Sequence, residues 1–324
     1  MGTTLAETVA RGDRRAVLWC RSEAVARAIR DDRRHPHHFS GVTLSPSLDA
    51  TADLAAAVEG ASLVIVAVGS PRVRETARAL ARIGSRPAAL LSATKGLDLT
   101  TLQRMSEVLA EETGSASVGT ISGPNVTPDI MARQITAVVI ASPAPATIEE
   151  GRLALATPRL KVYGNADLTG VETAGVLKNA IAIAMGLATG LGSGSNARSY
   201  LFTRGLAEIR ALGLALGAAP ATFYGLAGIG DLFLTSTSPD SLNYRVGIEL
   251  AAGRPLADIV AGMPEVPEGI NSTRGCSALA RRAGVVLPVA EQTRRILDGE
   301  ALPASLEDAL ASPDALGIDA DALH

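Results

Sequence analysis

The sequence predicts an α/β domain over residues 1–165 followed by an all-helical domain over residues 166–324, and three observations carry that partition. The chain has 324 residues, beyond the size at which a single hydrophobic core usually keeps growing, so two domains are expected. In the first half, unbroken Val/Ile/Leu runs alternate with helix-like stretches, the pattern of a parallel sheet covered on both faces. Past Asn165 the strand signals stop, and helical periods run from Gly170 to Gly217 and then to the end.

Taken in order, the chain opens on a helix over residues 1–10, with apolar Leu5, Ala6, Val9 and Ala10 on one side. Strands are expected at residues 16–19, 62–68, 88–92, 117–121, 135–141 and 160–163, and helices at 22–30, 72–82 and 100–112. The boundary between domains falls near residues 164–168, and no internal repeat or low-complexity tract interrupts either half.

Composition excludes several classes. Apolar residues make up 47% of the chain and aromatics only 3%, which describes a compact folded protein built on aliphatic packing. A formal charge of −3 shows no basic excess, so no nucleic-acid partner is expected. No apolar run reaches membrane-spanning length without an ionisable interruption, and the amino terminus has no signal-peptide layout, so a cytoplasmic setting without membrane contact is expected. Cys20 and Cys276 have no metal or redox spacing and read as core thiols. His35, His37 and His38 lack carboxylate or Cys company; they read as a solvated loop, and no metal site is expected.

Lysine is the most informative residue type. Of 30 basic side chains 27 are Arg, leaving only Lys95, Lys161 and Lys178. In a chain so ready to use Arg, a surviving Lys suggests a role that guanidinium cannot fill, such as exchanging a proton near neutrality. Lys178 lies within residues 176–187, a stretch apolar all round that reads as a buried helix. An ammonium held there is desolvated, which lowers its pKa toward the range useful for general acid or base work. The alternative is a Lys that snorkels its head out to water.

The opening is unusual. A dinucleotide-binding fold normally begins with a central strand and a Gly-x-Gly-x-x-Gly turn that delivers pyrophosphate to a helix amino terminus. Gly2 matches the third glycine, and the strand before it is absent. That strand is interior in the usual order, so its loss leaves two neighbours with unpaired backbone groups, and a true amino terminus further upstream is expected. After the next strand, Arg21 stands where an NAD site usually places an acidic residue for the ribose hydroxyl. It fits the 2′-phosphate of NADP, or is an ordinary solvated Arg.

Several stretches resemble one family. Thr94-Lys95-Gly96-Leu97 followed by Met105-Ser106-Glu107, Ser122-Gly123-Pro124-Asn125, Val162-Tyr163 with Gly170-Val171-Glu172, and Leu177-Lys178-Asn179-Ala180-Ile181-Ala182 come in order. Thr203-Arg204-Gly205-Leu206-Ala207-Glu208, the run from Gly225 to Leu232, and Pro267-Glu268-Gly269 follow. Together they resemble the bacterial NAD(P)-dependent glycerol-3-phosphate dehydrogenases, which interconvert dihydroxyacetone phosphate and sn-glycerol 3-phosphate. The resemblance implies a Rossmann-like NAD(P)-binding domain, here lacking its first strand, a helical substrate domain, an active site in the cleft between them, and a homodimer.

The same resemblance implies residue roles. Lys178 takes the position of proton donor and acceptor at the substrate hydroxyl, with Asn179 beside it and Asp231 as the carboxylate facing it. Lys95 matches a lysine touching both cofactor and substrate, and Gly123 and Asn125 match the substrate-side turn. Ser241 and Asn243 are substrate-side positions, while Gly2, Arg21, Thr127, Leu242, Val266 and Glu268 fall on the cofactor side. The chemistry suits these types: hydride addition to a ketone builds negative charge on oxygen, and a cation that also gives up a proton lowers the barrier twice over. For Lys95 the bland alternative is a loop-end lysine, and for Asp231 a helix cap.

One departure matters. Many members carry Ser-Arg-Asn where this chain has Ser241-Leu242-Asn243, so the phosphate-contacting Arg is replaced by Leu242. Arg245 lies three residues on, one helical turn away, and could reach the same space. The leading expectation is NAD(P)H-dependent reduction of dihydroxyacetone phosphate for glycerophospholipid synthesis. A dehydrogenase for another small ketone or 3-hydroxy compound, or a catalytically impaired nucleotide-binding homologue, are the alternatives.

Overall fold

The computed structural model describes residues 1–12, 14–39, 41–263 and 265–311. The chain forms two compact units: residues 1–94 with 105–168, and residues 95–104 with those from Thr169 onward. The carboxyl-terminal end of the expected helical domain, residues 312–324, lies outside the described residues.

The first unit alternates helices and strands: α1 (Gly2–Arg11), β1 (Ala16–Trp19), α2 (Glu23–Asp31), β2 (Leu48–Thr51), α3 (Leu54–Val58), β3 (Leu63–Val66) and α4 (Val73–Ile83). It continues with β4 (Ala89–Ser92), α5 (Met105–Thr113), β5 (Val118–Ser122), α6 (Thr127–Met131), β6 (Thr136–Ala141), α7 (Pro145–Leu155) and β7 (Leu160–Asn165). The six expected strands are all present. Helices cover both faces of the larger sheet: Leu5 of α1 and Leu155 of α7 pack with Ile121 and Ile140, while Leu80 of α4 and Val108 and Leu109 of α5 pack with Leu90 and Val118.

Three features differ from the sequence reading. The sheet is not wholly parallel, because β6 runs antiparallel to β5, with Thr120 opposite Ala141; apolar runs report burial of both faces and carry no information on strand direction. β2 was hidden because its Leu-Asp-Ala-Thr sequence has weak strand propensity, and only the alternating burial of Leu48 and Ala50 marks it. The helix expected from residue 100 starts only at Met105. Before it, Asp98 Oδ1 accepts hydrogen bonds from the N–H groups of Thr100 and Thr101, Leu102 adopts φ 60°, and Leu97 pairs with Arg104 in a small loop.

The strands form two sheets. One contains β1 and β2, and the other runs β3-β4-β5-β6-β7. The break therefore falls between β1 and β3, and a cavity of about 430 Å³ lies there.

The second unit is helical: α8 (Leu168–Gly190), α9 (Ser195–Ala215), α10 (Asp231–Thr237), α11 (Leu242–Ala251), α12 (Leu256–Ala261), α13 (Glu268–Ala283), α14 (Pro288–Leu297) and α15 (Leu306–Ala311). At 23 residues α8 is long and apolar enough to match a membrane span, yet its apolar window is entirely buried, which makes it the central helix of a packed core. Leu177, Ile181 and Ala184 of α8 pack with Ile209, Leu212, Phe223, Leu232 and Val246. Both cysteines are buried free thiols.

Candidate active site

Lys178 sits mid-way along α8, surrounded in sequence by Ala, Ile, Leu and Val, and is 5% exposed. Its head does not snorkel to water. The ammonium donates to Asp231 Oδ1 and to Thr235 Oγ1, the latter at 2.6 Å. Burial lowers its pKa to about 7; Asp231 pulls upward and the charge of Lys95 pushes further down. At that value the protonated and neutral amines coexist near neutrality.

Asp231 is the first residue of α10, reached through a single π-turn at Leu226–Gly230. It is not a helix cap, since both carboxylate oxygens face lysines: Lys178 on Oδ1, and Lys95 Nζ on Oδ2 at 2.7 Å. Burial at 1% exposure would raise its pKa, but the two ammonium groups outweigh that and hold it below the ordinary carboxylate range. Thr235, one turn along α10, donates its hydroxyl proton to the Asp231 carbonyl at 2.7 Å, which leaves its lone pairs for Lys178. The sequence reading missed Thr235, although its i+4 spacing from Asp231 places it on the same helix face.

Lys95 begins the 95–104 segment, which belongs to the helical unit. Two contacts tie that segment down. Arg104 Nη1 donates to Glu172 Oε2 of α8 at 3.1 Å, and Arg282 of α13 donates to the Thr101 carbonyl at 3.1 Å. Leu97 is buried in the helical core. Lys95 is thus part of a built cluster, with a buried partner of its own.

Beside the cluster runs an amide relay. Asn179 Nδ2 donates to the Gly175 carbonyl at 3.4 Å, and its Oδ1 accepts from Asn243 Nδ2 at 3.0 Å. Asn243 Oδ1 in turn accepts from the Gly269 N–H at 3.0 Å. The relay needs α8 and α11 in backbone contact. A Cβ on Gly186 would lie 2.0 Å from the Tyr244 carbonyl oxygen, and one on Gly247 would lie 2.1 Å from that of Ile183, so only glycine fits on either side. Ser241 caps α11, its hydroxyl accepting from the Tyr244 N–H.

The remaining sequence-selected residues are placed as follows. Leu242 is the first residue of α11 and half-buried, Arg245 on the same helix is exposed, Val266 is 62% exposed, and Glu268 begins α13. Gly2, Arg21, Gly123, Asn125 and Thr127 all belong to the first unit. Gly2 begins α1, whose Met1 cap position makes no side-chain cap bond; Arg21 is exposed just past β1; Thr127 begins α6. Gly123 follows β5 at φ 106°, where a side chain would strain the backbone, and Asn125 is buried just after it.

A cation of near-neutral pKa bound to a fixed carboxylate can protonate a developing alkoxide or take a proton from an alcohol. Comparisons with known proteins place the chain among dehydrogenases. The N-terminal profile of NAD-dependent glycerol-3-phosphate dehydrogenase matches residues 1–148 and the C-terminal profile residues 167–308. A glycerol-3-phosphate dehydrogenase (NAD(P)+) of Salinibacter ruber is 39% identical over 97% of this chain and 92% of the relative, and one from Sphingopyxis alaskensis is 41% identical over 92% and 90%. The crystal structure of the glycerol-3-phosphate dehydrogenase of Coxiella burnetii superposes with a TM-score of 0.91 at 31% identity, covering 96% of this chain and 95% of that one. By profile, sequence and fold, this chain belongs to the NAD-dependent glycerol-3-phosphate dehydrogenase family.

Proposed function

We propose that this protein catalyses the reversible NAD(P)H-dependent reduction of dihydroxyacetone phosphate to sn-glycerol 3-phosphate, in the cytoplasm and for glycerophospholipid synthesis. The observation that carries the reading is the Lys178–Asp231–Lys95 cluster, buried in one helical unit of a chain that belongs to this family.

Lys178 gives its proton to the substrate oxygen as charge builds there, and takes it back in the reverse direction. Asp231 holds the ammonium in place, Thr235 fixes its direction, and Lys95 supplies a second positive charge that favours the developing oxyanion. Asn179, locked by Asn243, offers its amide to the substrate. NADPH or NADH supplies the hydride when bound. The first unit suits such a cofactor: the early N–H groups of α1 carry no side-chain cap at Met1, which leaves donors for a pyrophosphate, and exposed Arg21 beyond β1 offers a cation for a 2′-phosphate. Gly123, Asn125 and Ser241 remain assigned to the substrate side, and Gly2, Thr127, Leu242, Val266 and Glu268 to the cofactor side.

Leu242 supplies no phosphate contact, and Arg245, one turn further along α11, takes that role in this reading. Leu242 also motivates the second reading, a dehydrogenase for an unphosphorylated small ketone. The experiment follows NADPH and NADH oxidation with dihydroxyacetone phosphate for the wild type, Leu242→Arg and Arg245→Ala. Turnover by wild type with a raised KM in Arg245→Ala supports the assignment. An inert wild type beside an active Leu242→Arg would overturn the substrate while leaving the fold intact.

A further inference from the structure

Lys95 and Lys178 reach the same carboxylate from different kinds of support. Lys178 stands on the buried α8, whereas Lys95 opens a loop, residues 95–104, that joins β4 to α5 in the chain yet packs with the helical unit. A loop fixes a side chain only as well as its own anchors do. Its interior is closed by backbone hydrogen bonds: the Asp98 N–H donates to the Gln103 carbonyl at 3.0 Å, and the Leu102 N–H to the Asp98 carbonyl at 2.7 Å. Leu97, two residues from Lys95, pairs antiparallel with Arg104. Whatever holds Arg104 therefore also holds the stretch of chain that bears Lys95.

The closed loop is fastened to the helices by contacts of unequal quality. Arg282 of α13 donates to the Thr101 carbonyl, but that contact is exposed, and water competes for both groups. Leu97 lies against α13, where a Cβ on Gly275 would sit 3.2 Å from Leu97 Cδ1; this contact is apolar and sets no direction. The ion pair of Arg104 with Glu172 is both directional and largely buried, at 3.1 Å with side chains 16% and 4% exposed. Glu172 lies on α8 six residues before Lys178, a rise of about 9 Å along the axis. One helix thus carries Lys178 and also the anchor of the loop that presents Lys95.

We infer that Arg104 and Glu172 are positioning residues: their ion pair holds Lys95 against Asp231, so that two lysines share one counter-charge at a separation set by α8. This deepens the catalytic reading and rests on it for its purpose. Among the described residues, the charged groups facing Lys178 are Asp231 of α10 and Lys95, with the hydroxyl of Thr235 as a neutral neighbour. Burial is the main reason that Lys178 holds its proton loosely; Asp231 opposes that effect, and Lys95 adds to it by its charge and by its claim on the same carboxylate. Without the tether Lys95 leaves Asp231, and Lys178, left alone with the carboxylate, binds its proton more tightly.

The test uses the scarcity of lysine: carbon-13 labelling at the lysine ε-carbon gives one signal each for Lys95, Lys161 and Lys178, and the titration midpoint of Lys178 is read by NMR in the ligand-free protein. Arg104→Gln and Glu172→Gln are compared, each alone and each combined with Lys95→Met. Both single variants are expected to raise the Lys178 midpoint by about one pH unit, toward that of Lys95→Met, and to add nothing once Lys95 is gone. A direct field from the pair has another signature: loss of the Glu172 charge would lower the midpoint, and loss of the Arg104 charge would raise it even without Lys95. A lowered or unchanged midpoint in Glu172→Gln, or a rise that persists in the Lys95→Met background, overturns the inference. Arg104→Gln, a change on the loop, carries the test by itself should Glu172→Gln not fold. A wild-type midpoint in the ordinary lysine range overturns the acid–base reading of Lys178 instead, and the tether is then judged by the difference between variants.

Discussion

Asp231 and Glu208 are both carboxylates of the helical unit, 1% and 0% exposed, yet their surroundings drive them in opposite directions. Asp231 meets two ammonium groups and stays ionised below the ordinary range. Glu208, on α9, accepts from the N–H groups of Val289 and Ala290 at the start of α14, at 2.6 and 3.0 Å. Burial pushes it up to about 7, despite those two donors and the charge of Arg204. Two ammonium groups in direct contact outweigh desolvation where two N–H dipoles and the charge of Arg204 do not. The first arrangement stores a mobile proton on a lysine; the second joins two helices.

The sharpest way to separate the two is to remove their partners. Lys178→Ala is expected to lower turnover by about 10²–10⁴-fold while cofactor affinity, followed by quenching of nicotinamide fluorescence, stays near wild type. Equal loss of both would contradict the assigned role. Asp231→Ala leaves two cations facing each other without a counter-charge, and should cost about 3–5 kcal/mol in urea unfolding. A loss within the range of an ordinary surface substitution would show that the cluster is solvated.

Glu208→Gln probes the other member. Because its folded pKa lies above its unfolded one, the folded state binds the extra proton between pH 4.5 and about 7, so stability is full below that window and falls as pH rises through it. The wild type should lose about 3 kcal/mol across the window relative to Glu208→Gln, which does not titrate. Parallel unfolding curves at pH 5 and pH 7.5 would sink this. The rate profile gives the matching test for the lysine. Ketone reduction needs the protonated amine and should fall about tenfold per pH unit above about 7, whereas alcohol oxidation should rise up to that point and then level off. The smallest effect is a null result: Cys276, a buried acid with no compensating partner, is pushed up to about 12, and should resist alkylation until the protein unfolds.

Much of this was legible in the residues. Scarcity of lysine pointed to Lys178, and apolar continuity around it announced a buried helix. Strand runs such as residues 135–141 were visible because burial on both faces leaves a compositional mark. What stayed hidden needed three dimensions. Lys95 and Asp231 are 136 positions apart in the chain, so no spacing rule could place them on one another. The relay from Asn179 through Asn243 to Gly269 depends on two helices touching through glycines, and glycine in a sequence does not say which neighbour it admits. The antiparallel turn of β6 left no trace for a related reason, since direction is set by the connection and not by the strand.

The bare crossing of α8 and α11 has a mechanical consequence. Where Gly186 and Gly247 meet, no side-chain atoms separate the two backbones, so at that point the pair has no soft layer to compress, and the spacing of the two nearby asparagines is expected to hold as temperature or ligand changes. The polar floor beside Lys178 is therefore expected to behave as a fixed gauge, keeping its dimensions until those two helices separate in the course of unfolding.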